Sequence, residues 1–320
     1  MDGIDIDKTL VRSLLRQQHP DLAELALREV DGGWDNRMWR LGEDLAVRLP
    51  RTPRAPSLLR AEQRWLPSVT QGLPLPVPVP VRVGEPSELF PWTWTVVRWV
   101  VGEPADRAPI TSKQSVGALA GFLRALHRPA PDDAPFNANR GVPFEVVQDA
   151  LYDWLPVVAG GDFGGDLPPD ETADAVAQVW EEAVAAPPWK GEPVWLHGDL
   201  HPANVVVSNG ALCGVVDWGE LCAGDPATDL SAAWLLLPEG STSRFFDAYA
   251  DAYADADNHA DSHPDDATIV RARGWAAMRC LNLIAIGQAG ERGRPGGKPT
   301  WLPAGWAALK RVLQASPAPE

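Results

Sequence analysis

The amino-acid sequence predicts an α+β chain in two parts, a small strand-rich unit over residues 1–101 and a larger helical one over residues 102–320. Three observations lead there. Up to residue 101, short apolar runs alternate with turns built from Gly, Asn and Asp. Beyond it, apolar residues recur at three- and four-residue spacing over long stretches. Within the helical part, two short apolar strands follow the polar run HGDLHPAN, so a loop dense in reactive side chains is carried on a small hairpin.

In the first unit, residues 25–30, RMWRLG and DLAVRLP read as strands joined by tight turns, with DGGWDN as the first turn. Residues 54–69 place Leu58, Leu59, Trp65, Leu66 and Val69 at helical spacing, and Pro67 is expected to end that helix. It is the one helix predicted in this unit. Pro74, Pro76, Pro78 and Pro80 make a stiff extended run suited to a connector or a sheet edge, because proline offers no ladder donor. Residues 91–102 read as a last strand leading out.

The second unit opens with a helix over residues 115–129, whose His127 is expected as a capping or solvent-facing residue at the helix end. A short helix or lid follows near GVPFEVVQDALYDWLP, then a loop over residues 159–171 and a strong helix over residues 171–186. NVVVSNG and LCGVVDWG form two strands joined at Asn209-Gly210. Asp225 caps the helix that begins at residue 226, and further helices are expected at residues 243–254, 265–289 and 304–313. Of the 15 tryptophans, Trp39, Trp65, Trp180 and Trp234 are read as core fillers.

Composition narrows the functional classes. With 45% apolar and 22% charged residues the chain falls among ordinary globular proteins, and no run approaches the roughly 20 apolar residues of a membrane-spanning helix. The acidic start is unlike a secretory signal, so a cytoplasmic location is expected, with no membrane partner. Three scattered cysteines support neither a disulfide framework nor a cysteine zinc site. A formal charge of -15 opposes nucleic acid and suits a cationic small molecule, particularly near the acids of residues 251–266.

Asp199 and Asn204 lie in one loop stiffened by Pro202, and Asn204 directly precedes an apolar strand. Asp217 follows the paired strand, so the hairpin is expected to bring Asn204 and Asp217 to one edge. An amide oxygen and a carboxylate are hard ligands that suit Mg²⁺, which retains water and phosphate oxygens. A further carboxylate, Asp199, is then available to accept or orient a hydroxyl proton. Together these groups describe phosphoryl transfer from a nucleotide.

HxDxxxxN followed by an aspartate after the next strand resembles the signature of the aminoglycoside phosphotransferase family, small-molecule kinases with a protein-kinase-like two-lobed fold. The likeness runs from about residue 25 to residue 237. It implies Asp199 as catalytic base, Asn204 as a catalytic-loop metal ligand, Asp217 as the principal metal ligand, and His197 as a catalytic-loop residue that holds the backbone. Asp225 is expected to accept hydrogen bonds from that loop and Asp229 to brace the helix start, while His201 is read as a structural loop residue.

For the nucleotide the resemblance implies a turn at Gly32, Gly33 and Asn36 over the phosphates, Ala46 against the base, and Arg48 on the phosphates paired to Glu62. Arg48 stands where a lysine is usual; its planar fork can still clamp phosphate and carboxylate. The backbone of Arg98, Trp99 and Val100 is expected to meet the base edge.

The expected reaction is transfer of the γ-phosphoryl group of ATP or GTP, with Mg²⁺, to a small-molecule hydroxyl by a monomer or weak homodimer. An aminoglycoside-like antibiotic is one candidate acceptor; a macrolide or a small metabolite such as a sugar or amino alcohol is another. An inactive nucleotide-binding protein, a structural module, and a zinc site on His197, Asp199 and His201 are the rival readings.

Overall fold

The computed structural model describes residues 5–30, 33–159, 169–254 and 264–314. The chain folds as two compact units, residues 1–101 with 214–221, and residues 102–213 with 222–320. A single cut after residue 101 therefore misses one feature: the segment carrying Asp217 packs with the first unit rather than with the loop that precedes it in sequence. Among the described residues no helix is long and apolar enough to cross a membrane.

In chain order, the first unit holds α1 (Lys8–Gln18), β1 (Leu27–Val30), β2 (Asn36–Leu41), β3 (Leu45–Pro50), α2 (Ala55–Val69), β4 (Pro80–Gly84) and β5 (Trp94–Arg98). The strands form one antiparallel sheet in the order β1-β2-β3-β5-β4. Pro80 begins the edge strand β4, where a missing N–H costs no ladder bond. Side chains alternate across β3, so Val47 and Leu49 face a core with Trp39, Leu41, Phe90 and Trp94, while Ala46 and Arg48 occupy the other face.

Three expectations are corrected here. α1 was not anticipated; Asp7 Oδ1 accepts from Leu10 N at 2.8 Å as its cap, and Val11, Leu14 and Leu15 complete the core. The α2 helix runs through Pro67 to Val69 because proline removes only one intrahelical donor there, and Thr70 N still closes on Leu66 O at 3.0 Å. Trp65 is half-buried rather than a core filler, with the Arg64 guanidinium 4.5 Å from its ring centroid.

The second unit begins with β6 (Glu103–Pro104), α3 (Gln114–Leu126), α4 (Phe144–Val147), α5 (Pro156–Ala159) and α6 (Pro169–Ala185). It continues with β7 (Val194–Leu196), β8 (Val205–Ser208), β9 (Ala211–Val215) and β10 (Cys222–Gly224). The closing helices are α7 (Ala227–Leu230), α8 (Ala232–Leu236), α9 (Thr242–Ala254), α10 (Asp266–Glu291) and α11 (Trp301–Gln314). Of the loop expected at 159–171, the ends belong to α5 and α6 and residues 160–168 lie outside the described residues, as does most of the acidic run at 251–266.

The hairpin between β8 and β9 turns at Asn209 and Gly210, with φ of 50° and 75°. Two successive left-handed residues are what a type I′ turn requires, and Asn-Gly is the pair that adopts them at least cost. β6 pairs with β8, and β7 pairs antiparallel with β10 through Leu196 and Cys222. The loop of residues 197–204 thus leaves one short sheet and enters another, so both its ends are fixed by backbone ladders.

Candidate active site

In the first unit, the turn before β2 admits no side chain at Gly33, where a Cβ would lie 2.1 Å from the carbonyl oxygen of Asn36. Gly32 lies outside the described residues. Asn36 is buried, and its Oδ1 has no donor among the described residues.

On β3, Ala46 and Arg48 are both buried. Arg48 makes a two-pronged ion pair with Glu62 of α2, with Nη2 to Oε1 at 3.0 Å and Nη1 to Oε2. Burial opposes the charge on Arg48, but Glu62 and, more distantly, Asp217 hold its pKa above the ordinary arginine value. Such a fork is the geometry that lysine cannot reproduce. Arg48→Lys is therefore expected to destabilise the protein by about 1.5–3 kcal/mol, the range for a hydrogen bond to a charged group; urea midpoints for wild type and variant check this.

Asp217 is exposed and sits at φ 61°, a left-handed backbone uncommon for a non-glycine residue. A Cβ on the neighbouring Gly219 would lie 3.6 Å from Asp217 Oδ1 and 3.8 Å from Glu62 Oε1. Arg48, Glu62 and Asp217 are thus gathered in the first unit, to which the buried Trp218 also belongs. A network absent from the sequence reading lies in the same unit: Arg54 grips both oxygens of Asp35, at 2.7 to 3.1 Å, and reaches Glu220 at 2.8 Å.

At the end of β5, Arg98 N donates to Val79 O at 3.1 Å and Trp99 N to Asp44 O at 2.8 Å. Those two amides are thus engaged within the first unit. The Trp99 ring lies under the Arg40 guanidinium at 4.3 Å.

The second unit holds His197, Asp199 and Asn204 in one loop. Asp229, fully buried, accepts from His197 N at 2.7 Å and from Gly198 N at 2.9 Å. His197 Nδ1 in turn accepts from Asp199 N at 3.3 Å. His197 Nδ1 thereby braces the loop backbone at Asp199.

Asp225 keeps the capping part expected of it, but the loop amides also expected on it go to Asp229. Asp229 takes the loop amides, whereas Asp225 accepts Ala227 N at 3.0 Å and pairs with Arg271 of α10, Nε to Oδ2 at 2.7 Å. Asp229 lies inside α7, beside the start of the loop, while Asp225 precedes that helix and so has its first free amide to cap. His127 is buried rather than solvent-facing, with Nδ1 2.8 Å from Tyr249 Oη and Nε2 3.5 Å from Asp229 Oδ2.

Asp199 is held from several directions. Asn204 Nδ2 donates to Asp199 O at 2.9 Å and to Oδ2 at 3.1 Å, and His201 Nε2 lies 3.5 Å from the same Oδ2. On the other oxygen, Oδ1, Arg279 Nη1 sits at 2.7 Å and Arg140 Nη2 at 3.9 Å. His201 also caps the turn at Pro202–Asn204 through Nδ1, 3.3 Å from Ala203 N, and meets the Trp301 ring edge-on at 4.7 Å. It is thus both a loop brace and a neighbour of the carboxylate.

Arg279, Arg140 and Trp301 were missed in the sequence. Only Arg279 left a signal, as a lone charge in the apolar run AAMRCLNLIAIG. With its amide nitrogen on Asp199, Asn204 has its oxygen left to offer a cation, which is the atom Mg²⁺ prefers. Among the described residues no three His, Cys, Asp or Glu side chains gather as a metal site.

Burial by itself would raise the Asp199 pKa, but Arg279 first, then His201 and Arg140, hold it well below the usual carboxylate value. The group is ionised near neutrality, so it contributes no acid limb to activity there, and its pairing stabilises the fold until pH falls through the lowered value. Arg279→Gln removes the largest opposing charge and is expected to move the acid limb of kcat/KM upward. A pH–rate profile from about pH 4.5 to 8 checks the direction.

A family model described as the phosphotransferase enzyme family matches residues 26–265. Among curated proteins, an aminoglycoside 3'-phosphotransferase of Escherichia coli is 30% identical over 163 residues, covering 49% of this chain and 58% of the relative. The matched segment thus spans little more than half the length of that relative. Among solved structures, the GDP and kanamycin complex of APH(2")-IIia superposes with a TM-score of 0.64 at 17% identity, covering 95% of this chain and 98% of the other. A macrolide 2'-phosphotransferase of Brachybacterium faecium gives a TM-score of 0.57 at 22% identity, covering 92% and 97%.

Proposed function

The chain belongs to the phosphotransferase enzyme family, and on that premise we propose that it transfers the γ-phosphoryl group of ATP or GTP to a hydroxyl of a small molecule. The observation that carries this reading is the Asp199 carboxylate: half-buried, ionised, and fixed on one oxygen by Asn204 and His201. An acceptor hydroxyl donates to Asp199 and is aimed at the γ-phosphorus; as its oxygen bonds to phosphorus, the bond to the nucleoside diphosphate breaks and the hydroxyl proton passes to Asp199. A carboxylate this acidic is a weak base, so its main contribution is orientation, with proton transfer late along a loose transition state.

Arg48, held by Glu62, neutralises phosphate charge, and Gly33 leaves the backbone of its turn open to close approach. Mg²⁺, which the family resemblance assigns to Asn204 and Asp217, would supply further charge neutralisation when bound. The carboxylate of Asp217 and the free amide oxygen of Asn204 are suitable donors for it. Aminoglycosides and macrolides enter as candidate acceptors because relatives bear those names; inactivation of such a compound is then one role for the activity.

Label transfer from γ-labelled ATP and GTP to a panel of aminoglycosides, macrolides, sugars and hydroxy acids tests the proposal. Transfer to at least one hydroxyl is expected. Nucleotide binding without transfer to any acceptor would instead favour an inactive nucleotide-binding protein, the reading that Arg48 in the lysine position supports.

A further inference from the structure

Beside the oxygen that must receive the acceptor hydroxyl stand two arginines. Asp199 Oδ2 is engaged by Asn204 and His201, which leaves Oδ1 for the acceptor; yet Oδ1 lies 2.7 Å from Arg279 Nη1 and 3.9 Å from Arg140 Nη2. An acceptor that docks there has to share or displace the Arg279 contact. The Arg279 side chain is only 15% exposed, so its guanidinium cannot turn fully to water when the carboxylate shares Oδ1 with a hydroxyl. Weakening the pairing of a largely enclosed charge is costly, and adding an ammonium group beside it compounds the cost. A second anion, brought in by the acceptor, removes it.

Both arginines are built into the unit rather than draped on it. Arg279 lies on the 26-residue α10, which Arg271 ties to Asp225, and its Nη2 also donates to Gly198 O at 3.4 Å. The residue after Arg140 is fixed at both ends of its peptide, with Gly141 N on Thr228 Oγ1 at 3.0 Å and Gly141 O accepting Asp225 N at 3.0 Å. One turn beyond Arg279 on α10, Asn282 Nδ2 is buried with no acceptor among the described residues, a further donor in search of an oxygen.

We infer that the acceptor carries an anionic group close to the hydroxyl it presents, and that Arg279 and Arg140 receive that group as Arg279 yields Asp199 to the hydroxyl. The inference rests on the phosphotransfer reading and narrows its substrate class from small hydroxyl compounds in general to anionic ones such as hydroxy acids or sugar acids. It runs against the cationic acceptor suggested by the net charge of -15, because that charge is a property of the whole surface whereas two cations line this one position. The fork of Arg suits a carboxylate and a phosphate equally, so the chemistry shared by the two is what is assigned.

The test compares matched acceptors that differ in charge: gluconate, glucose 6-phosphate and glucose, glycerate and glycerol, with kanamycin as the cation. Label transfer from ATP is followed by kcat/KM and binding by calorimetry, in wild type, Arg279→Gln, Arg279→Lys and Arg140→Gln. At least one anion is expected to exceed its neutral counterpart by about tenfold or more, the scale of a close charge pair. The carboxylate and phosphate arms identify the source of the anion. In Arg279→Gln the anion-to-neutral ratio collapses toward one and Arg279→Lys restores part of it. A purely structural role for Arg279 would lower both members of a pair together and leave the ratio unchanged, which overturns the inference, as does preference for kanamycin or for every neutral compound. Arg140→Gln provides the same ratio if Arg279→Gln does not fold. Should no acceptor be phosphorylated, the phosphotransfer reading falls, but calorimetry still decides whether gluconate or glucose 6-phosphate binds in an Arg279-dependent way.

Discussion

Asp199→Ala is expected to lower acceptor phosphorylation by about 10²–10⁴-fold, the range for removal of a positioned acid–base group, while nucleotide affinity stays within about twofold. The contrast follows from where its contacts lie. Asp199 interacts with Asn204, His201, Arg279 and Arg140, all in the second unit, whereas Arg48 and Glu62 belong to the first. The variant also leaves Arg279 without its carboxylate, so a modest loss of stability accompanies the kinetic loss. Asp199→Asn is the better control, since its amide oxygen still accepts from Arg279. Single-turnover label transfer, with calorimetry of a non-transferable ATP analogue, separates chemistry from binding; turnover by either variant at the wild-type rate removes Asp199 from the mechanism.

The second large effect is structural. Asp229→Ala is expected to destabilise the protein by about 3–5 kcal/mol, because two buried amides lose their acceptor and His127 loses its neighbouring carboxylate. For a unit of this size that corresponds to a fall in melting temperature of about 10 °C. Asp229→Asn keeps one acceptor oxygen and should lose roughly half as much. Because the amides in question belong to His197 and Gly198, the residual folded protein should show a lower kcat with KM for nucleotide little changed. Differential scanning calorimetry and steady-state kinetics on the two variants provide both readings; equal stability of Asp229→Ala and wild type would mean the loop is held by other contacts.

Much of the fold was legible because its local rules are short-range. Asn209-Gly210 specifies its turn through two left-handed residues, and Asp265 caps α10 by accepting Thr268 N at 2.8 Å. The α1 helix was overlooked although Asp7, Leu10, Val11, Leu14 and Leu15 follow the same rules, since its mean apolar content is low and its buried face is narrow. Pro67 misled for the opposite reason: near a helix end, the single lost donor is outweighed by the packing of Leu66 and Val69.

The site divided along the same line. His197, Asp199 and Asn204 lie within one loop, residues 197–204, so their nearness is imposed by local backbone and shows in the spacing, whereas the parts assigned to them rest on the family resemblance. The pairing of Arg48 with Glu62 came from the family resemblance, and the structure joins the two. Arg279, Arg140 and Trp301 reach the loop only through the packing of α10, α11 and the Gly141 turn. Tertiary placement of that kind leaves almost no trace in a single sequence. That the loop amides go to Asp229 rather than Asp225 has the same origin: both are buried acids in one heptapeptide, and only the register of α7 decides which one the loop amides meet.

The measurement that bears most directly on all of this is a structure of the protein with a non-transferable ATP analogue and a phosphorylatable acceptor. The acceptor hydroxyl oxygen should lie about 2.6–3.2 Å from Asp199 Oδ1, with the Arg279 guanidinium turned from Asp199 onto an anionic group of the same molecule. An acceptor hydroxyl bound elsewhere, with Arg279 still paired to Asp199, would contradict the account.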